Sequence, residues 1–170
     1  MKKLLLFSTT LLLLLLVTSC EKPDYSSQMG LVIDQYVGVW NGDSLSDLDE
    51  IVTKDFQLRM IPAFDPLTGL EKLKEAITAT RKQFPDFMIN ETEKLFVGDS
   101  AIVIRWTATG TFKGEGDLTI TGKKVNVPGF SVIFFNEGKI TGEWIAYSDL
   151  TWAEQLGFTV VSPTVENQMK

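Results

Sequence analysis

The spacing of the apolar residues changes from a helical to a strand period halfway along the chain. Between Met29 and Trp40 they recur every three or four positions, which predicts an amphipathic helix. From Phe87 onwards apolar and polar residues alternate between glycine-containing turns. The predicted strands cover residues 87–96, 101–113, 125–135 and 140–149. Helices followed by such strands predict an α+β domain, with the helices packed on one face of a curved antiparallel sheet.

Two further helices are expected between these regions. The apolar spacing over residues 45–52 favours a short helix capped by Asp43 or Ser44. Thr68-Gly69-Leu70-Glu71 has the form of a capping box and predicts the start of a third helix. That helix is expected to end at Phe84-Pro85, because the residue before a proline is pushed out of the helical region.

The first 20 residues have the order of a secretory signal. Lys2 and Lys3 precede an apolar stretch from Leu4 to Val17, which is shorter than the ~20 residues of a membrane-spanning helix. Val17-Thr18-Ser19-Cys20 resembles the lipobox of bacterial lipoproteins. The resemblance implies that Cys20 is lipidated and becomes the first residue of the mature chain. An ordinary signal cleaved nearby, with Cys20 incidental, is the alternative.

The chain is therefore expected to have four parts. Residues 1–19 are a lipoprotein signal peptide, 20–27 a lipid-anchored tether, 28–158 one folded domain and 159–170 a C-terminal tail. This organisation predicts an exported protein of the bacterial cell envelope, attached to a membrane through Cys20.

The residue types that are scarce exclude several kinds of chemistry. The chain has no His, so it has no imidazole base, no Ser-His-Asp triad and no His-containing zinc site. Its one Cys allows no internal disulfide. With 22 acidic against 16 basic residues, the chain is not expected to bind nucleic acid. The acidic cluster between Asp43 and Glu50 lacks the spacing of an EF-hand loop, so no metal or other cofactor is predicted.

Eight short motifs occur in order along residues 28–158. They are YVGVWNGD (36–43), DLDEI (47–51), KDF (54–56), GLEKL (69–73), FPDF (84–87), GKI (138–140), EW (143–144) and QLGF (155–158). Together they resemble the SnoaL-like polyketide cyclase family, within the nuclear transport factor two-like superfamily. The resemblance implies a cone-shaped α+β barrel, in which a strongly bent antiparallel sheet wraps around the first helix and an apolar pocket opens at one end.

The same resemblance implies which residues of this chain correspond to the catalytic residues of SnoaL-type cyclases. In SnoaL-type cyclases an Asp on the last strand acts as acid and base, without a metal or cofactor. The corresponding position here, four residues after Trp144, is Ser148; Asp149 follows it and so points to the other face of the strand. Phe112 and Arg59 stand at or close to positions where members of the family often have His. These departures favour ligand binding over catalysis.

The leading hypothesis is thus a domain that binds a small apolar or aromatic molecule. The predicted ligand-binding residues are Tyr36, Trp40, Arg59, Trp106, Phe112, Trp144 and Ser148. Packing in the core is the alternative role of the aromatic members of this set, because core and pocket wall are continuous in a cone fold. For Arg59 the alternative is an exposed or paired charge.

A second hypothesis is a cofactor-free cyclase or isomerase. In it Asp149 is the catalytic acid and base, and Arg59 or Tyr36 stabilises an oxyanion. The alternative role of Asp149 is an exposed carboxylate that caps the following helix. Glu143 is the runner-up acid; it is expected to point away from Trp144, towards solvent or a helix.

A third hypothesis has no ligand. It is a non-catalytic homodimer, built through the convex face of the sheet that carries Thr107 and Thr109 or through the surface beside it.

Overall fold

The predicted succession of helices and strands is present in the structure. A computed structural model describes residues 25–61, 65–114, 122–159 and 161 of the 170-residue chain. The helices are α1 (Ser26–Trp40), α2 (Leu48–Ile51), α3 (Leu70–Gln83) and α4 (Asp149–Leu156), with a 3-10 turn (Leu45–Asp47) before α2. The strands are β1 (Val52–Met60), β2 (Leu67–Thr68), β3 (Met88–Val97), β4 (Ala101–Thr111), β5 (Lys124–Asn136) and β6 (Lys139–Tyr147).

The strands form one curved, open sheet in the order β2-β1-β6-β5-β4-β3. Strands β3 to β6 are an antiparallel meander, as predicted. The pairing of β1 with β6 is parallel, so the sheet is mixed rather than wholly antiparallel. Parallel neighbours need a long connection, and most of the domain lies between these two strands in sequence. The α+β class is confirmed.

The helices cover the concave face of the sheet. Helix α1 buries Met29, Ile33, Tyr36 and Val37, which belong to the predicted apolar face, in one core with residues of the sheet. Helix α3 adds a second buried face. Its buried residues are Leu70, Leu73 and Ile77. The sheet therefore has one face towards the helices and one outer, convex face.

Two helix starts differ from the prediction. Helix α3 begins after Gly69, whose φ of 103° suits glycine, and no side-chain cap forms there, so the expected capping box is absent. Helix α4 is capped by Ser148, which accepts a hydrogen bond from the Thr151 amide. The last strand therefore ends at Tyr147, before the predicted boundary. The cap expected at Ser44 is present at the start of the 3-10 turn, where its hydroxyl accepts from the Ser46 amide.

The signal peptide and Cys20 lie outside the described residues, as does most of the predicted tail. Within the described ranges, no helix combines the length and the apolar character that are needed to cross a bilayer.

Candidate functional site

A cavity of about 420 Å³ lies between the helices and the concave face of the sheet. Helices α1, α3 and α4 and strands β4, β5 and β6 all contribute to its wall. Most of the wall is apolar or aromatic. The lining residues with polar or charged side-chain groups are Tyr36, Trp40, Asp65, Thr80, Gln83, Trp106, Ser131, Glu143, Tyr147 and Trp152.

Glu143 places a carboxyl group in this cavity. It lies on β6, where alternate side chains face opposite sides of the sheet, so Glu143, Ile145 and Tyr147 all line the cavity. The side chain of Trp144 points the other way. Glu143 is only 4% exposed, whereas Trp144 is 46% exposed.

Two hydroxyl groups hold the Glu143 carboxyl group. The Tyr36 hydroxyl donates a hydrogen bond of 2.7 Å to Glu143 Oε2. The Ser131 hydroxyl also hydrogen-bonds to Glu143. Ser131 Oγ in turn accepts a 2.9 Å hydrogen bond from Trp106 Nε1. Three elements of the fold, α1, β4 and β5, thus converge on one carboxyl group of β6.

Burial perturbs the ionisation of this site. Removal from water raises the pKa of Glu143, while the hydrogen bonds from Ser131 and Tyr36 act in the opposite direction. Burial, together with the nearby Glu143, also holds the pKa of Tyr36 well above its ordinary value. Burial and the neighbouring Asp149 raise the pKa of Tyr147 to about 12. Both tyrosines therefore remain protonated donors at neutral pH.

Aromatic rings form much of the remaining wall. Trp106 and Tyr147 have ring centroids 6.3 Å apart, and Tyr147 and Trp152 are 5.9 Å apart. The Trp152 ring also meets Phe84 edge-on at 5.3 Å. Trp152 belongs to α4, so this short helix completes one wall of the cavity.

A glycine permits the position of the Trp106 ring. Gly129 pairs with Trp106 across β4 and β5. A Cβ atom at Gly129 would lie 2.6 Å from Trp106 Cζ2, closer than real Cβ atoms approach a neighbour. The missing side chain therefore leaves the space in which Trp106 reaches Ser131.

The structure brings together three of the predicted ligand-binding residues. Tyr36, Trp40 and Trp106 all line the cavity. Phe112 is buried, but it lies outside the wall and packs on Phe84 with ring centroids 5.2 Å apart. Core packing, the alternative given for the aromatic residues, describes the position of Phe112.

The expected placement of Trp144 and Arg59 in the pocket is corrected by the strand alternation. Trp144 contacts Phe134 on the outer face, with centroids 5.3 Å apart. Arg59 pairs in register with Trp144, while its neighbours Leu58 and Met60 line the cavity. Both predicted residues therefore lie on the convex side of the sheet.

Ser148 and Asp149 also lie outside the wall of the cavity. Ser148 serves as the cap of α4, and Asp149 is an exposed residue in the first turn of that helix. Asp149 hydrogen-bonds to the outer end of Tyr147. The catalytic role predicted for Asp149 is therefore not supported by its position. Asp149 is the exposed carboxylate given as the alternative, but the cap of α4 is Ser148, which was predicted in the pocket.

Glu143, which the sequence presents only as the runner-up acid, is the acidic residue that lies buried in the cavity wall. The sequence predicts that Glu143 and Trp144 point to opposite faces of their strand, and this is confirmed. Trp144 was predicted to line the pocket, and its side chain lies on the opposite face of the strand. The period of two places Glu143 in one row with Ile145 and Tyr147, without showing which of the two rows faces inwards. In the described part of the chain, no three His, Cys, Asp or Glu residues form a group that could hold a metal.

Residues 30–156 match the family model described as SnoaL-like polyketide cyclase. A search of curated proteins finds no match to this sequence.

Solved structures of proposed polyketide cyclases have the same fold. One from Bacillus cereus ATCC 10987 is 26% identical, with a TM-score of 0.66 over 79% of this chain and 84% of the other. One from Acidithiobacillus ferrooxidans is 24% identical, with a TM-score of 0.67 over 79% and 97%. A third, from Jannaschia sp. CCS1, is 14% identical, with a TM-score of 0.71 over 84% and 100%.

Proposed function

This chain belongs to the SnoaL-like polyketide cyclase family, and on that premise we propose that its domain binds a small apolar or aromatic molecule in the cavity. The observation that carries the proposal is an aromatic cavity of about 420 Å³ with the buried Glu143 carboxyl group in its wall. Family membership alone does not decide between binding and catalysis, because one fold hosts both.

The composition of the cavity supports a ligand with an apolar body. Its volume lies within the range of roughly 300–1,000 Å³ that is typical of small-molecule sites. The polar groups are few and converge on one place, where Tyr36, Ser131 and Glu143 meet. A ligand would thus bury its body against aromatic rings and direct one polar group at Glu143.

Native mass spectrometry of the full chain, purified from its own cells, tests this proposal. We expect a retained small molecule that organic extraction releases. A matched Ala76→Phe variant, which adds a ring to the cavity wall on α3, should lose it while keeping the circular dichroism of the wild type. A ligand-free wild type, or equal retention by the folded variant, would argue against binding in this cavity.

Catalysis of proton transfer is a second candidate, with Glu143 in the place first assigned to Asp149. The specific observation is a desolvated carboxyl group whose pKa burial raises, next to the Tyr36 hydroxyl. Glu143 would take a proton from a carbon next to a carbonyl group. The C–H electron pair would form the C=C bond of an enolate, and the π pair of the carbonyl group would move to its oxygen. Once Glu143 carries the proton, the Tyr36 hydroxyl could turn its hydrogen from Glu143 to the enolate oxygen, and Glu143 would then return the proton to carbon or oxygen.

Exchange of carbon-bound hydrogen in D₂O separates this candidate from binding alone. With a cyclic aromatic ketone as the probe, a catalyst should accelerate exchange at the carbon next to the carbonyl. Glu143→Gln should remove the acceleration, and Asp149→Asn should keep it, since Asp149 is exposed outside the cavity wall. Acceleration that survives in the Glu143 variant would exclude this role.

We further propose that the domain is held at the bacterial envelope through lipidated Cys20. The support is the order of basic, apolar and small residues before this cysteine. In membrane fractionation, Cys20→Ser should move the full chain out of the membrane fraction. A matched Ser19→Ala variant, which retains a small residue before the cysteine, should stay with the membrane. Retention of both variants would count against the anchor.

A further inference from the structure

We infer that the cavity selects a positively charged ligand, an amine with an aromatic or aliphatic body whose ammonium group pairs with Glu143. This inference rests on the proposed binding function and narrows the class of ligand. It depends on three features of the described residues: the direction of the hydrogen bonds at Glu143, the charges around the cavity, and the rings of its wall.

The hydrogen-bond network delivers hydrogens to Glu143 from two sides. An indole N–H can only donate, so Trp106 must donate to Ser131 Oγ. The hydrogen of the Ser131 hydroxyl is then available for the bond to Glu143. On the other side, the Trp40 side chain hydrogen-bonds to Tyr36, whose hydroxyl donates to Glu143 Oε2. The carboxyl group ends both chains as an acceptor, which is the role of a carboxylate.

In the described part of the chain, no basic side chain lines the cavity to balance that carboxylate. Among the described residues that line the cavity there is no Lys or Arg, and the chain has no His. The ion pairs found in the described part of the chain involve other acids, such as Asp49, Glu91 and Glu93. Asp65, also in the wall, adds a second acidic group. Burial disfavours the charged form of Glu143, and no side chain of the described wall offsets this with a positive charge. An ammonium group of a ligand would supply the partner that stabilises the carboxylate.

The aromatic wall also suits a cation. The lining rings are those of Tyr36, Trp40, Phe84, Phe87, Trp106, Tyr147 and Trp152. The faces of such rings carry negative electrostatic potential and attract ammonium groups, most strongly where water is excluded. An anionic ligand would meet two acids and no base, so carboxylates and phosphates are excluded as preferred ligands.

Three compounds with the same indole body provide the test. Tryptamine carries an ammonium group, tryptophol a hydroxyl group and indole-3-propionate a carboxylate at neutral pH. Isothermal titration calorimetry with the purified full chain should give an affinity for tryptamine at least tenfold higher than that for tryptophol, a difference of about 1.4 kcal/mol. Indole-3-propionate should bind more weakly than either. This ranking in the wild type requires no variant.

Two variants test whether Glu143 is the residue that favours the ammonium ligand over the other two. Glu143→Gln keeps the shape of the side chain and should lower the affinity for tryptamine at least tenfold, while that for tryptophol stays within about twofold. Asp55→Asn, which removes an exposed carboxylate outside the wall, should leave all three affinities unchanged.

The outcomes distinguish the two levels of the proposal. Equal or tighter binding of tryptophol in the wild type would overturn the amine inference and leave ligand binding intact. Equal tryptamine affinity in Glu143→Gln, with folding verified by circular dichroism, would overturn it as well. Binding of none of the three compounds would count against the proposed function, and this inference would fall with it.

Discussion

At the level of single residues, Glu143 combines full burial with a place in a ligand-sized cavity. The sequence identified its strand and its parity relative to Trp144. It could not identify the Tyr36 hydroxyl as a donor, because Tyr36 is 107 positions away in the chain. Contacts of that range are created only when α1 folds against the inner face of β6.

The raised pKa of Glu143 predicts how stability depends on pH. The folded state binds this proton more tightly than the unfolded chain does. The resulting stabilisation is complete below the unfolded-state pKa and is lost as the pH rises through the folded-state pKa. Tyr36 and Tyr147 have raised pKa values and stay protonated across this acidic-to-neutral range.

Urea unfolding of the wild type and Glu143→Gln at a series of pH values measures this effect. The free energy of unfolding of the wild type, relative to that of the variant, should fall as the pH rises. Other titrating groups cancel in the comparison. A difference that is constant with pH, or that grows as the pH rises, would contradict the predicted ionisation of Glu143.

Gly129 gives a second prediction at a single residue. Gly129→Ala forces the new methyl group into the Trp106 ring, and overpacking of this kind typically costs about 1–3 kcal/mol. The free energy of unfolding should fall by that amount, and the Trp106 fluorescence should change as the ring leaves Ser131. Gly30→Ala is the control. Gly30 lies within α1, where alanine is favoured over glycine. Its Cβ would lie at an ordinary contact distance of 3.6 Å from Phe96 Cζ, so the free energy of unfolding should be equal or higher.

At the level of elements, α4 is a short helix that completes the cavity wall. Its side chain Trp152 contacts Phe84 and Tyr147. Gln155 attaches the same helix to β5 through two hydrogen bonds with the Asn126 backbone, of 2.6 and 3.1 Å. The position of Trp152 over the cavity thus depends partly on Gln155.

We therefore expect Gln155→Ala to loosen α4 selectively. Amide hydrogen exchange in residues 149–156 should become faster, while exchange in β4 and β5 stays slow. A bound ligand should also dissociate several-fold faster, since Trp152 closes the site less often. Glu154→Ala, at an exposed position of the same helix, is the control. Unchanged exchange in α4 would show that other contacts hold the helix.

At the level of the whole molecule, the convex face of the sheet carries exposed aromatic residues. Phe130 is 44% exposed and Trp144 46% exposed, and Trp144 packs on Phe134. The homodimer considered from the sequence would use this face, which also bears Thr107 and Thr109. Pairing of two copies here would remove these rings from water while leaving the cavity on the other side of the sheet.

Light scattering coupled to size-exclusion chromatography tests this pairing on the full chain. If the dimer forms through the convex face, Trp144→Lys should weaken it at least tenfold by burying like charges against each other. Leu31→Lys, at an exposed position of α1, should not. A wild type that is monomeric at all concentrations, or a dimer that Trp144→Lys leaves unchanged, would contradict the use of this face.

The order of the elements, the α+β class and the strand parity of β6 could be predicted from the amino-acid sequence. These follow from local properties: the periods of 3.6 and 2, and the breaks at Gly and Pro. The parallel pairing of β6 with β1 could not be predicted in this way, because the two strands meet only when the whole domain folds.

Which face of β6 meets the cavity depends on how the helices pack against the sheet. Trp144 and Ile145 are both apolar, so alternation alone shows two distinct faces without showing which is covered. The helices pack on the side of Glu143, Ile145 and Tyr147, and this leaves Trp144 towards solvent. Burial depends on what lies opposite a side chain. For this reason the Glu143 carboxyl group lies in the candidate site, whereas the more apolar Trp144 beside it lies on the outer face.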